Sequence, residues 1–374
     1  MSGRITVYTN FIHSEHIFSK MKLYRLKILL PFLCLFVLGS ASPKMTGEEI
    51  GNYIQKKLKR NNQVLRINSK NLGDDGVAYL ASSPILKTVK TLILYKGHFG
   101  DEGVRALAES ENLDQLTALY LENNNITDLG VEHITRSENL SNLKVLNLYH
   151  NQISDKGAGL IAESDTLTEL QELNLIYNQI YGPGVIQLTN STKLKSLKKI
   201  ELTYNPIRKS AKDAWKRFQL MEWLKELNRT NRLNEVGAGL IGDLGVEVLL
   251  QSAFAIKLER LDLKNNDLTD ASVIALSQSK KLKQLVSLNL SKNNITDAGA
   301  KALAGSISLG KLKKLNLNFN RIGDEGARAI AGSPNFSNLE SLKLGQNKIG
   351  TEGVRALNES KILQNLVHPV FGFY

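Results

Sequence analysis

An α/β solenoid, with short parallel strands on one side of the coil and α-helices on the other, is the fold class that three observations predict. The first is a period. Stepping by 27 residues from Leu65 lands on Leu92, Leu119, Leu146, Leu173, Ile200 and Leu227, and a second run takes in Leu261, Leu288, Leu315 and Leu342. The second is alternation: in each repeat an aliphatic pair such as Leu146 and Leu148 is spaced by two, as strand side chains sharing one core must be. The third is helical spacing of apolar residues farther along, as in GVRALAES at residues 103–110 and GAKALAGS at residues 299–306. So short a unit cannot bury its own apolar side, and stacking on its neighbours is obligatory.

Each offset from the anchor has a task. Five residues on comes asparagine, at Asn124, Asn151, Asn178, Asn205, Asn266, Asn293, Asn320 and Asn347. Its amide carries both donors and an acceptor, so stacked copies can satisfy backbone groups where the chain leaves the strand. An isoleucine such as Ile126, Ile153 or Ile295 then plugs the core. The aspartate two residues later (Asp128, Asp155, Asp270, Asp297, Asp324) is placed to cap the helix that follows it. Glycine or alanine opens that helix, and a serine recurs near its end, from Ser83 to Ser360. One step departs from the period: Leu227 to Leu261 is 34 residues, which puts a seven-residue insertion within 228–260. The repeat before it is also irregular, with Ala211 for the glycine, Phe218 for the serine, and both tryptophans, Trp215 and Trp223. They are expected to fill space that a broken repeat leaves, the alternative being a protruding loop at residues 229–234.

The phrase L-x-L-x-x-N-x-[IL], as in LNLYHNQI at residues 146–153, resembles the ribonuclease-inhibitor-type branch of leucine-rich repeats, with a true helix in each repeat. The resemblance covers eleven repeats over residues 63–368 and implies a horseshoe, with strands on the concave face and helices on the convex one. It departs from the ribonuclease inhibitor in holding one repeat length and lacking its many cysteines, so that protein's activity does not carry over. TGEE at residues 46–49 fits a capping box ahead of an amphipathic stretch, giving an N-terminal capping helix within 44–62. At the other end, residues 369–374 (PVFGFY) are expected to close the last core edge.

Residues 21–41 read as a signal peptide: Lys22, Arg25 and Lys27, then an apolar run from Ile28 to Leu38, then Gly39-Ser40-Ala41. The apolar run is short of the roughly 20 residues that span a bilayer. An uncleaved anchor and lipidation at Cys34 are the alternatives. Residues 1–20 have no comparable logic, and translation is expected to begin at Met21. Cys34 is the single cysteine, so an intramolecular disulfide and a Cys-based zinc site are excluded. The formal net charge is +12, of which residues 1–41 hold +4 (five Lys/Arg against Glu15), leaving +8 spread over the rest. That excess favours an acidic partner without marking a nucleic-acid module.

No catalytic, metal or cofactor pattern stands out. GAGLIG at residues 237–242 matches G-x-G-x-x-G, but the near-identical GAGLIA at residues 157–162 lies inside an ordinary repeat helix. The repeated acids sit at a structural offset. The informative positions are those between the inward leucines, which must face the hollow. Repeats two to six present Tyr95, Tyr120, Tyr149, His150, Ile176, Tyr177 and Tyr204; repeats eight to eleven present Arg260, Lys264, Lys292, Lys314, Phe319 and Lys343. Five of the eleven tyrosines in one band suggest a contact surface, since tyrosine gives large area at small entropic cost. The expectation is an exported, monomeric scaffold without cofactor or metal that binds a protein or peptide, membrane-attached only through an uncleaved signal segment. By analogy it resembles secreted or surface proteins of host-associated bacteria. An intracellular GTPase regulator of the Ran GTPase-activating type and a glycan-binding surface protein are the other classes left open.

Overall fold

The computed structural model describes residues 43–233, 236, 241–306 and 308–367. The expectations for residues 1–20, for the signal segment at 21–41 and for the closing segment at 369–374 therefore lie outside it, as do most of GAGLIG and Asn234 of the suggested loop. The described residues form an α/β leucine-rich-repeat solenoid, in which three-residue strands and helices of mostly seven to ten residues alternate along the chain. The first half runs α1 (Gly47–Leu58), β1 (Val64–Arg66), α2 (Gly73–Ala81), β2 (Thr91–Ile93), α3 (Asp101–Ala108), β3 (Ala118–Tyr120), α4 (Asp128–Arg136), β4 (Val145–Asn147), α5 (Asp155–Ala162), β5 (Glu172–Asn174), α6 (Pro183–Thr189) and β6 (Lys199–Glu201). The 21-residue α7 (Lys209–Arg229) follows. The second half runs α8 (Gly242–Gln251), β7 (Arg260–Asp262), α9 (Asp270–Gln278), β8 (Ser287–Asn289), α10 (Asp297–Ala304), β9 (Lys314–Asn316), α11 (Asp324–Ala331), β10 (Ser341–Lys343) and α12 (Thr351–Asn358).

Strands β1 to β6 form one parallel sheet and β7 to β10 another, each in sequence order. Anchors pair with anchors, Leu92 with Leu119 and Leu119 with Leu146, so every repeat presents the same offsets to the same face. The anchors and their partners two residues on are fully buried, as are the plugs Ile126, Ile153 and Ile295. At the N-terminal end, Glu49 Nα–H donates to Thr46 Oγ1 at 3.3 Å while Glu49 Oε2 accepts from Thr46 N at 2.8 Å, and α1 buries Ile50, Ile54 and Leu58.

Three ladders of side chains stitch successive repeats. Asn151 Oδ1 accepts from Ile126 N of the preceding repeat at 3.2 Å, and its Nδ2 donates to Leu121 O at 3.0 Å and Leu148 O at 3.1 Å. Ser137 Oγ reaches back to Ala108 O at 2.5 Å, satisfying a carbonyl that the end of α3 leaves free. The aspartates correct the expectation drawn for them. Asp128 does not cap its own helix, whose N-cap is Thr127; its Oδ1 instead accepts from Ser154 N at 2.8 Å and Gly157 N at 2.9 Å at the start of α5, one repeat on. Asp270 does the same for Thr296 and Gly299. Where a glycine opens the helix it admits that carboxylate: a Cβ on Gly130 would lie 2.6 Å from Asp101 Oδ1, whereas in α9 Ser272 stands there and its hydroxyl donates to Asp243 Oδ1.

The irregular segment is also corrected. Leu227 is not a strand residue but lies, buried, in α7. Counting 27 back from Leu261 reaches position 234, and the buried Val236 and Ile241 hold the offsets of an inward strand residue and a core plug. Ile241 N donates to Asn266 Oδ1 at 3.0 Å, the bond that Ile126 makes to Asn151. The seven extra residues therefore lie upstream, in the lengthened α7, and not within 228–260. Leu227 matched the period because aliphatic residues on a helix recur often enough to meet one arithmetic series by chance. Helix α7 joins two separate cores: Trp215 and Phe218 pack on the first, and Leu220, Met221 and Trp223 on the second. Trp215 Nε1 donates to Ile200 O at 2.9 Å, so the tryptophans are packing residues here.

Candidate functional site

Side chains one, three and four residues past each anchor project from the strand face, opposite the buried leucines. The fourth residue past the anchor is in the left-handed region in all ten strand-bearing repeats, with φ between 52° for Ser69 and 60° for Tyr204. This conformation lets the chain turn off the strand toward the asparagine. It suits asparagine, costs a bulky side chain about 1–2 kcal/mol, and is held by the surrounding hydrogen bonds. His150, Tyr177, Tyr204, Lys292 and Phe319 all stand there, and none of the ten is glycine.

Four of the expected contact residues are brought together. Tyr149 meets Tyr177 edge-on, with ring centroids 5.5 Å apart, and His150 lies 6.0 Å from Tyr149 and 5.9 Å from Tyr177. Tyr204 extends the row, and His150 Nδ1 is 2.6 Å from Asn123 Oδ1. Exposure rises along the row to 71% at Tyr204. Partial burial, together with Tyr204 and Tyr149 alongside, pushes the Tyr177 phenol above its ordinary value. Tyr95 and Tyr120 share the face without ring contacts to this group, and Ile176 is half-buried beside it. In the second sheet Lys292 Nζ sits 5.5 Å from the centroid of the exposed Phe319 ring, a cation–π contact. Lys264 is exposed at the exit of β7, while Lys314 lines a hollow of ≈ 520 Å³ with Arg260, Asp262, Ser287, Asn289, Asn316, Ser341 and Lys343.

One residue on this face escaped the sequence reading. Glu122, three past its anchor and between Tyr95 and Tyr149 in the row, has Oε1 accepting from Asn147 Nδ2 at 2.9 Å, whereas its buried Oε2 has no hydrogen-bond partner. Burial pushes its carboxyl above the ordinary value, opposed first by its own backbone N–H and then by the charge of Arg66. An acid set between two tyrosines of the same row was the available signal. Among the described residues no group of three or more His, Cys, Asp and Glu gathers as a metal site would require, and no helix is long and apolar enough to cross a membrane.

A family model described as Leucine Rich repeat matches residues 116–134, 139–162, 255–277, 282–304, 311–331 and 337–357, so both sheets contain matched repeats. Nothing among curated proteins matches. Two solved structures from Listeria monocytogenes str. 4b F2365 are similar to this chain. The internalin inlF is 22% identical over 86% of this chain and 88% of that one, with a TM-score of 0.24. The internalin C2 (inlC2) is 21% identical over 78% and 82%, with a TM-score of 0.26.

Proposed function

We propose that this leucine-rich-repeat protein is a binding scaffold that recognises a protein or peptide through its strand face. The observation that carries the reading is the row Tyr149, His150, Tyr177 and Tyr204. Exposed aromatics touch one another across three repeats, and three of the four stand on left-handed backbone that favours smaller residues. Nothing in the core needs them there. Tyrosine and histidine at such positions give a rigid, amphipathic contact surface of the kind enriched at binding hot spots.

The signal-like segment at 21–41 supports export to the cell surface or beyond, in the manner of proteins that meet a host, and it weighs against a cytosolic GTPase regulator. A glycan is the second reading, because the exposed outer face of Tyr204 could stack on a sugar ring. The test is selection of ligands by the full chain from a displayed peptide library and from a glycan array. Peptide ligands should be retained by the wild type and lost by Tyr149→Ala/Tyr177→Ala, whose melting curve stays within a few degrees of wild type. Peptides bound equally by that variant would remove the aromatic row as the site. N-terminal sequencing of the mature protein tests export.

A further inference from the structure

In both sheets asparagines one residue past the anchor make the same turn, Asn174 doing so to Ile176 N at 3.0 Å with Glu172 and Glu201 beside it, and one of them shows what such an amide can hold. In β4, Asn147 directs Oδ1 to Tyr149 N at 3.0 Å, which turns its Nδ2 outward to hold the Glu122 carboxylate. In the second sheet Asn289 and Asn316 occupy the same offset, and each makes the same turn, Oδ1 accepting from Ser291 N and from Asn318 N at 3.1 Å. The offset that Glu122 fills is here Lys264 for Asn289 and Ser291 for Asn316. No described residue accepts from either Nδ2. These two amides lie on adjacent strands, about 4.8 Å apart by sheet geometry. Around them stand Arg260, Lys314 and Lys343, none in an ion pair with a described residue and opposed on this hollow only by Asp262.

Resting on the reading of the strand face as the binding surface, we infer that the hollow over β7 to β10 takes carboxylates of an acidic peptide segment. The amides of Asn289 and Asn316 fill the role for a partner's carboxylates that Asn147 fills for Glu122 within the chain. The three cations neutralise the incoming charge. A floor of unused donors ringed by cations selects oxyanions. The internal precedent is a carboxylate on a single amide, which favours an acidic peptide over a sulfated glycan. Side chains on one side of an extended peptide are about 7 Å apart, so carboxylates at alternate positions can reach amide and lysine together.

The test titrates the full chain with hexaglutamate, hexaglutamine and a heparin hexasaccharide at physiological salt, following the side-chain amide resonances of Asn289 and Asn316. Hexaglutamate should bind saturably and shift both resonances, and hexaglutamine should not bind. Lys314→Ser/Lys343→Ser, of which the first copies Ser287 and Ser341 in its own row, should weaken hexaglutamate at least tenfold. Asn289→Asp/Asn316→Asp retains the turn, as Asp262 does for Lys264 N, and should abolish the binding. Lys156→Ser/Lys212→Ser, which removes two exposed helix cations away from the strand face, should leave it unchanged, which separates this site from the general charge of the chain. Absence of saturable binding, equal binding by the lysine or asparagine variants, or tighter binding of the heparin fragment than of hexaglutamate would each overturn the inference.

Discussion

Tyr204 lies flat against Tyr177 of the preceding repeat, with ring centroids 4.3 Å apart and planes inclined by 5°. Two residues 27 apart in sequence are thereby stacked on the surface by the register of β5 and β6 and the left-handed backbone both stand on, and the pair is half of an aromatic row that no core contact requires.

Removing one ring should release the other. Tyr204→Ala exposes Tyr177, whose phenol is held high by partial burial and by its neighbours, so its titration should move down toward the ordinary value of about 10. Ultraviolet titration of tyrosinate in the two proteins checks this; an unmoved upper titration would mean the stack does not persist in solution.

The ladders and the core should differ in what they contribute. Leu146→Ala opens a cavity at a fully buried anchor and should cost about 2–5 kcal/mol. Asp128→Ala leaves the amides of Ser154 and Gly157 unsatisfied at the start of the next helix and should cost about 1–3 kcal/mol. Urea denaturation of each variant gives both figures. An unchanged midpoint for Asp128→Ala would mean water replaces the carboxylate without loss.

Glu122 predicts an acid-side gain in stability. A carboxyl whose folded pKa lies above its unfolded value holds its proton more tightly when folded. Its contribution is therefore full below the unfolded value of about 4.3 and lost as pH rises through the folded value. Glu122→Gln should remove that part of the pH dependence between neutrality and the unfolded value. Identical stability-against-pH slopes for the two proteins across that window would refute the assignment.

Helix α7 predicts a division in unfolding. Its N-cap, Arg208, makes no side-chain cap bond, position 182 is glycine where the preceding repeats carry the bridging aspartate, and Phe218 stands where the others carry serine. The repeats on either side are joined by packing, by the Arg217–Glu247 ion pair at 2.7 Å and by Lys257 Nζ donating to Asn228 Oδ1 at 3.3 Å. Nearest-neighbour coupling is weakest there, so equilibrium unfolding in urea should show two steps. Coincident single transitions by tryptophan fluorescence and circular dichroism would show that the joint transmits cooperativity.

The repeat frame was legible because leucines at a fixed period admit one stacking solution, and alternation says which side chains face out. Three things were not legible. The target of each aspartate lies 26 to 29 residues away, on a helix start that local capping rules do not reach. The insertion was misplaced because Leu227, a helix-core residue, fell on the arithmetic of the strands. The orphaned oxygen of Glu122 depends on which neighbours cover it, and no spacing rule encodes that. The shared face of the tyrosines followed from register alone, whereas the contact of four rings depended on the left-handed residue at the strand exit, which sequence gave no reason to expect without glycine.

The ladders do not all run in the same direction. Aspartates serve the helix start of the repeat after them, whereas serines and asparagines serve carbonyls and amides of the repeat before. Cutting the array between two repeats therefore exposes unlike surfaces: the downstream fragment is short of acceptors at its first helix, and the upstream fragment is short of both a hydroxyl and an amide at its last. A shortened version built for engineering would need two chemically different lids, and a single symmetric one could seal neither fragment fully.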